Sequence, residues 1–165
     1  MRFIIFSDSH GFDFKMRKAI EANLGAGLDG MIFLGDGLAG AKQTAADFGL
    51  TLYAVAGNCD AGVDVTKSET YERMLEFDGI KVLILHGHRN FVKNDLMYAE
   101  TYARKKGADV LLYGHTHIRD DRYVNEGRGL YVFNPGSITL PKDDFMSFGL
   151  MELRDGQIML SHGKI

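Results

Sequence analysis

The sequence predicts an α/β fold, two mixed sheets stacked face to face with helices outside, an α/β/β/α sandwich. Short apolar runs of strand length alternate with helical periods, which implies a mainly parallel sheet with helices over it. Further along the chain, Asp78-Gly79 and Asp155-Gly156 each separate strand-like runs, as tight hairpin turns do, and add antiparallel pairing.

Residues 3–6 are all apolar and read as the first buried strand. Met16, Ala19, Ile20 and Leu24 then recur at i, i+3, i+4 and i+8, a helical face, with Gly25 as its stop. Residues 31–34 give a second strand, and Ala41, Thr44, Ala45 and Phe48 a second helical face. Residues 52–56 and 82–85 are further strands, with the Asp78-Gly79 turn before the latter. A third helix is expected over residues 94–106, with Leu96, Ala99 and Ala103 on one face, Lys105 and Lys106 in the last turn and Gly107 beyond. Residues 110–113 form a fifth strand, and Asp155-Gly156 closes a last hairpin.

With 165 residues, 45% hydrophobic and 25% charged, the chain has the makeup of an ordinary globular protein, and one domain over 1–165 is expected. Cys59 is the only cysteine, so no intrachain disulfide forms. The apolar start gives way to Ser7 and Asp8, too soon for a signal-peptide core or a membrane span. A cytoplasmic location and no membrane partner are therefore expected. Net charge is −3 with lysine and arginine scattered, so long nucleic acid is not an expected partner.

The predicted strands end in polar clusters: Asp8 and His10, Asp36, Asn58, His86, then His115 and His117. Loops at the carboxyl ends of parallel strands share one edge, so these seven residues can converge on one crevice. Five of the six histidines fall in these clusters once His88, two residues after His86, is counted with them. Glycines flank them, Gly35 and Gly37 around Asp36, Gly57 before Asn58, Gly87 after His86 and Gly114 before His115, as sharp turns require.

Carboxylate, imidazole and amide donors without thiolate suit Mn²⁺, with Ni²⁺, Fe or Zn²⁺ as alternatives. Asp36 can bridge two cations roughly 3.5–4 Å apart, as two-metal hydrolases require. Two divalent ions against two carboxylates leave a locally cationic crevice in an acidic protein, a field that suits a small phosphate ester. Asp36, Asn58 and His86 are accordingly expected to serve catalysis as well as metal binding.

In order, Asp8-Ser9-His10, Gly35-Asp36-Gly37, Gly57-Asn58-Cys59-Asp60, His86-Gly87-His88 and Gly114-His115-Thr116-His117 resemble the calcineurin-like metallophosphoesterases. The chain looks most like their small YfcE-type phosphodiesterases, a likeness shared by Asn134-Pro135-Gly136-Ser137. The resemblance implies the four-layer sandwich. It also implies a division of ligands: Asp8, His10, Asp36 and His117 on one ion, with Asp36, Asn58, His86 and His115 on the other. Many members have histidine after the ligand asparagine. Cys59 stands there instead, so a weak general acid and substrates with good leaving groups are implied.

Other positions read more plainly. His88 is expected to support its neighbours, Cys59 to be a small buried filler, Arg89 a solvated surface residue, Asn134 to Ser137 a turn, and Phe145 and Phe148 core. Two alternatives keep the fold and change the function: nucleotide pyrophosphohydrolase or nuclease chemistry at the same centre, or a non-catalytic scaffold like a retromer subunit of this fold. A homodimer is expected from the frequency of symmetric pairs among small proteins.

Overall fold

Alternation along β1 (Arg2–Phe6) decides the layering. Phe3 and Ile5 point into a core shared with the second sheet, and Ile4 and Phe6 point to the helices. The computed structural model describes residues 1–64, 66–67 and 70–165. Its first sheet runs β10-β9-β1-β2-β3, with β2 (Gly30–Phe33) and β3 (Leu52–Ala54) parallel to β1, β9 (Ser147–Arg154) antiparallel to β1, and β10 (Gln157–Lys164) antiparallel to β9. The second runs β4-β5-β6-β8-β7, where β5 (Ile80–Leu85), β6 (Val110–Tyr113) and β8 (Leu130–Pro135) are parallel. Its edges, β4 (Glu72–Phe77) and β7 (Arg119–Val124), are antiparallel.

Between the sheets Phe3, Ile5, Ile32, Val82, Ile84, Val110, Leu112 and Phe133 form a dry core. Helices α1 (Phe14–Asn23) and α2 (Leu38–Asp47) cover the first sheet through Met16, Ala19, Ile20, Ala41 and Ala45. Helix α3 (Leu96–Lys105) covers the second, Ala99 and Ala103 packing on Leu83, Leu85 and Leu111. The layers are thus α/β/β/α, as the sequence predicts. No helix among the described residues is long and apolar enough to cross a membrane.

Both Asp-Gly turns have two consecutive positive φ angles, 51° and 79° at Asp78-Gly79 and 52° and 75° at Asp155-Gly156. That is the geometry matching the twist of paired strands. Helix α3 is shorter than the expected 94–106, with Asp95 as its N-cap, and β2 ends at Phe33 and α2 at Asp47, each one residue early. Two other boundaries differ for a local reason. Helix α1 does not stop at Gly25 but tightens into a 3₁₀ turn over Leu24–Ala26, and Gly27 takes the positive φ of 74°. The tightening turns Leu24 off the apolar face, so it is 46% exposed. Strand β3 ends at Ala54 rather than at residue 56, because the Ala56 N–H leaves its sheet to bond the carbonyl of Thr70 at 2.6 Å.

Candidate metal centre

The parallel strands of both sheets deliver their carboxyl ends to one edge, and backbone hydrogen bonds stitch the loops together there. The amides of Asp8 and His10 donate to the carbonyls of Gly35 and Asp36, each at 2.9 Å, and that of Gly114 donates to His86 at 3.1 Å. Close approach requires glycine at two points in particular. A Cβ on Gly57 would lie 2.0 Å from Asp36 Oδ1, and one on Gly114 would lie 2.0 Å from Ser7 Oγ.

All seven sequence-predicted ligands meet in the resulting crevice. The ligand atoms of Asp8, His10 and His117 lie within 4.8 Å of one another, as do those of Asp36, His86 and His115. A third group, His10, Asp36 and Cys59, links the two. Asn58 joins the second set, its Oδ1 3.3 Å from His86 Nε2. His86 Nε2 is 3.1 Å from His115 Nδ1 and 3.5 Å from Asp36 Oδ2, and His117 Nε2 is 3.1 Å from Asp8 Oδ1.

Eight non-glycine residues have positive φ among the described residues, and five of them are predicted ligands: Asp8, His10, Asp36, His115 and His117. Each such backbone costs about 1 kcal/mol or more, a strain that tertiary contacts must hold in place.

Tautomers follow from the acceptors available. His86 Nδ1 donates to the carbonyl of Leu34 and His117 Nδ1 to that of Leu140, both at 2.7 Å, so each ring is fixed with its Nε2 turned into the crevice. Asp36 and its loop are fixed by amides: Cys59 N donates to Asp36 Oδ1 at 2.8 Å. The Asp60 carboxylate accepts from the amides of Asp36, Gly37, Leu38 and Gly57 at 2.8–2.9 Å, which also places a negative charge at the amino end of α2. Around Asp8 the supports are mainly hydroxyls, beside the His115 amide, which donates to Asp8 Oδ2 at 3.1 Å. Ser7 donates to its carboxylate at 2.5 Å, while Ser137 and Thr139 both donate to its backbone carbonyl at 2.9 Å.

Burial alone would raise the Asp8 carboxyl, but the hydrogen bond with His117, the charge of His86 and the Ser7 hydroxyl hold it below the usual range. His117 is raised, first by its bond with Asp8. His115 goes the other way, to about 4, through burial and the nearby charges of His86 and Lys93.

The donor set fits metal cations on two grounds. His10 Nε2 is buried yet has no hydrogen-bond partner, a cost that a bound cation removes. The His86 and His117 rings are also anchored through Nδ1 on backbone carbonyls, which leaves Nε2 as the atom each would offer a metal.

Several residues do more, or something other, than the sequence reading expected. Cys59 is exposed at the rim, not a buried filler, because its loop leaves the sheet edge at Asn58. Partial desolvation and the nearby carboxylates of Asp36, Asp60 and Asp8 raise its thiol, so it stays protonated. Asn134 to Ser137 is more than a turn, since Asn134 Nδ2 bonds the carbonyl of Gly114 and Thr116 Oγ1 at 3.2 and 3.0 Å, bracing the two-histidine loop. Phe145 is not core but is stacked between Arg119 and Lys164, whereas Phe148 is buried. Arg89 is at the surface with its guanidinium over the Tyr71 ring at 3.7 Å, and the His88 ring lies 5.4 Å from that of His86.

Asp60 and Thr139 are the functional supports that sequence reasoning missed. Asp60 lies inside the Gly57-Asn58-Cys59-Asp60 block, and a carboxylate two residues beyond a ligand in a Gly-rich loop was the available signal.

Two face-to-face mixed sheets flanked by helices, with histidines and carboxylates gathered at one edge, define a metal-dependent hydrolase class. Residues 1–156 match the calcineurin-like phosphoesterase superfamily domain, and the chain belongs to that family. It is 36% identical over 143 residues to the probable metallophosphoesterase YsnB of Bacillus subtilis, covering 86% of this chain and 78% of that protein. It is 28% identical over 173 residues to phosphodiesterase YfcE of Escherichia coli, covering 92% and 88%. The YfcE structure superposes with a TM-score of 0.66 over all of both chains at 25% identity. Zinc-complexed Vps29 of Entamoeba histolytica has the same fold, with a TM-score of 0.69, 17% identity and 99% of each chain covered. The family is one of phosphoester hydrolases and implies divalent metal ions.

Proposed function

We propose that this protein hydrolyses small phosphodiesters at a dinuclear centre, with Asp8, His10, Asp36 and His117 holding one cation and Asp36, Asn58, His86 and His115 the other. The observation that carries the reading is the reach of Asp36, whose carboxylate stands in one donor group with His10 and in another with His86 and His115. Manganese is the first candidate on donor chemistry, with nickel, iron or zinc behind it.

When bound, two such cations supply hydroxide at neutral pH and stabilise charge on the phosphoryl oxygens. The chain's own contribution is orientation. Leu34 and Leu140 fix the His86 and His117 rings, and the Cys59 amide fixes one oxygen of Asp36 while the other faces His86. The Cys59 thiol, kept protonated, is a weak proton donor at the rim, so esters with good leaving groups should react fastest.

The test is hydrolysis of a bis-aryl phosphodiester by metal-reconstituted protein beside Asp36→Asn. A loss on the order of 10³-fold in the variant is expected. Equal rates would overturn the reading, and no turnover by either, with no metal retained, would favour a scaffold.

A further inference from the structure

Next to the centre lies a cavity of about 520 Å³, large enough for a nucleotide-sized group. Thr116, between the two candidate ligands His115 and His117, lines it, so the cavity adjoins the centre. Lys93 extends from one side, its Nζ 3.5 Å from His115 Nδ1. Lys142 comes from the other, its backbone N–H donating to the carbonyl of His117 at 2.9 Å. Val92, Tyr113 and Ile118 make the apolar part of the wall.

The charge in this lining is unbalanced. Arg119 and Arg122 also face the cavity, but each already has acidic partners: Asp143 at 2.9 Å for the first, Glu100 at 2.8 Å and Asp120 at 3.2 Å for the second. Asp120, the one carboxylate in the lining, also accepts from the Tyr113 hydroxyl at 2.8 Å. Lys93 and Lys142 are left without a carboxylate partner among the described residues, two ammonium groups flanking the cavity of a protein of net charge −3. A neutral aryl substituent would meet the apolar wall and leave both unmatched. A substituent carrying its own anion would meet both.

We infer that the Lys93–Lys142 cavity selects phosphodiesters whose second substituent is nucleotide-sized and ends in another phosphate. The inference rests on the phosphodiesterase reading above and names its substrate class. In the hydrolysis, water adds to the diester phosphorus and the P–O3′ bond breaks, the 3′ oxygen leaving as the hydroxyl and the phosphate staying on the 5′ side. Adenylyl-adenosine then gives adenosine and adenylate, and its 5′-phosphorylated form gives two adenylates.

Those two dinucleotides, which differ only in the terminal phosphate, are the probes, with a bis-aryl phosphodiester as reference. The ratio of kcat/KM for the phosphorylated over the unphosphorylated dinucleotide should be about tenfold or more at low salt. It should fall severalfold in Lys142→Ala, approach one in Lys93→Ala/Lys142→Ala, and shrink with rising ionic strength. Neither lysine is buried, so the variants should keep wild-type circular dichroism. A ratio near one, a ratio untouched by the double variant, or cleavage of the aryl diester with neither dinucleotide accepted would overturn the inference while the phosphodiesterase reading stands. Failure to cleave any of the three would overturn both.

Discussion

Around Asp8 the supporting groups are mostly side-chain hydroxyls, two of which, from Ser137 and Thr139, bond the same carbonyl, with the His115 amide on its carboxylate. Around Asp36 they are backbone amides, four of them gathered by the single carboxylate of Asp60. The first arrangement is redundant and the second is not. Redundant supports tolerate the loss of one member, whereas a lone acceptor shared by four donors leaves all four unpaired when it goes.

The sharpest way to break this comparison is at the carboxylates themselves. Asp36→Asn should lower bound metal from two equivalents to none, because it removes a ligand from both proposed sites. Asp8→Asn should leave one equivalent in the Asp36 half. Metal analysis after reconstitution reads both, and equal losses would show that the halves are not separable.

Next in size is Asp60→Ala, which touches no proposed ligand side chain. Removing a charged acceptor from four amides should cost about 3 kcal/mol. In a domain of this length that is a fall in melting temperature of about 10 °C, with metal affinity down about 10–100-fold. Thermal denaturation and a metal-competition titration check it. On the other half Thr139→Val should cost only about 1 kcal/mol, since the Ser137 hydroxyl still reaches the Asp8 carbonyl. If the two variants melted together, the contrast in redundancy would be wrong.

The smallest expected effect is a difference in pH dependence of the metal-free protein. His115 is pushed down to about 4, below the 6.5 of the unfolded chain. Between those values the unfolded state binds more protons, so stability falls as pH drops through that window. His117 is raised, so its contribution is full below 6.5 and is lost as pH climbs through its folded value. His115→Gln should therefore flatten the acid-side loss of melting temperature, and His117→Gln should remove a stabilisation that is strongest on the acid side. Profiles that moved in the same direction would contradict the assignment.

Much of this was legible in the sequence because it is local. Residues 3–6 and 82–85 are apolar throughout and had to be buried on both faces, and Asp78-Gly79 announces its turn by composition alone. The seven ligand positions could be read because each follows such a run and carries glycine or a second donor beside it. What could not be read depends on distance in the chain. That Ser137 and Thr139 reach back to Asp8, or that Asp60 closes the loop after β2, follows from sheet order and not from spacing. The Gly25 stop failed for a local reason of its own, because Leu24 matches a helical period yet sits where the chain tightens toward Gly27.

Sheet membership of the donors has a mechanical consequence. Asp8, His10, Asp36 and Asn58 follow strands of the first sheet, while His86, His115 and His117 follow strands of the second. Every proposed ion would therefore be gripped from both sheets at once, a rivet through the two leaves of the sandwich at one end. Sliding or splaying the leaves would have to break coordination at that end, so stripping the metal with a chelator should loosen the interior around Ile84 and Leu112, seen as faster amide exchange there, and not merely empty a surface crevice.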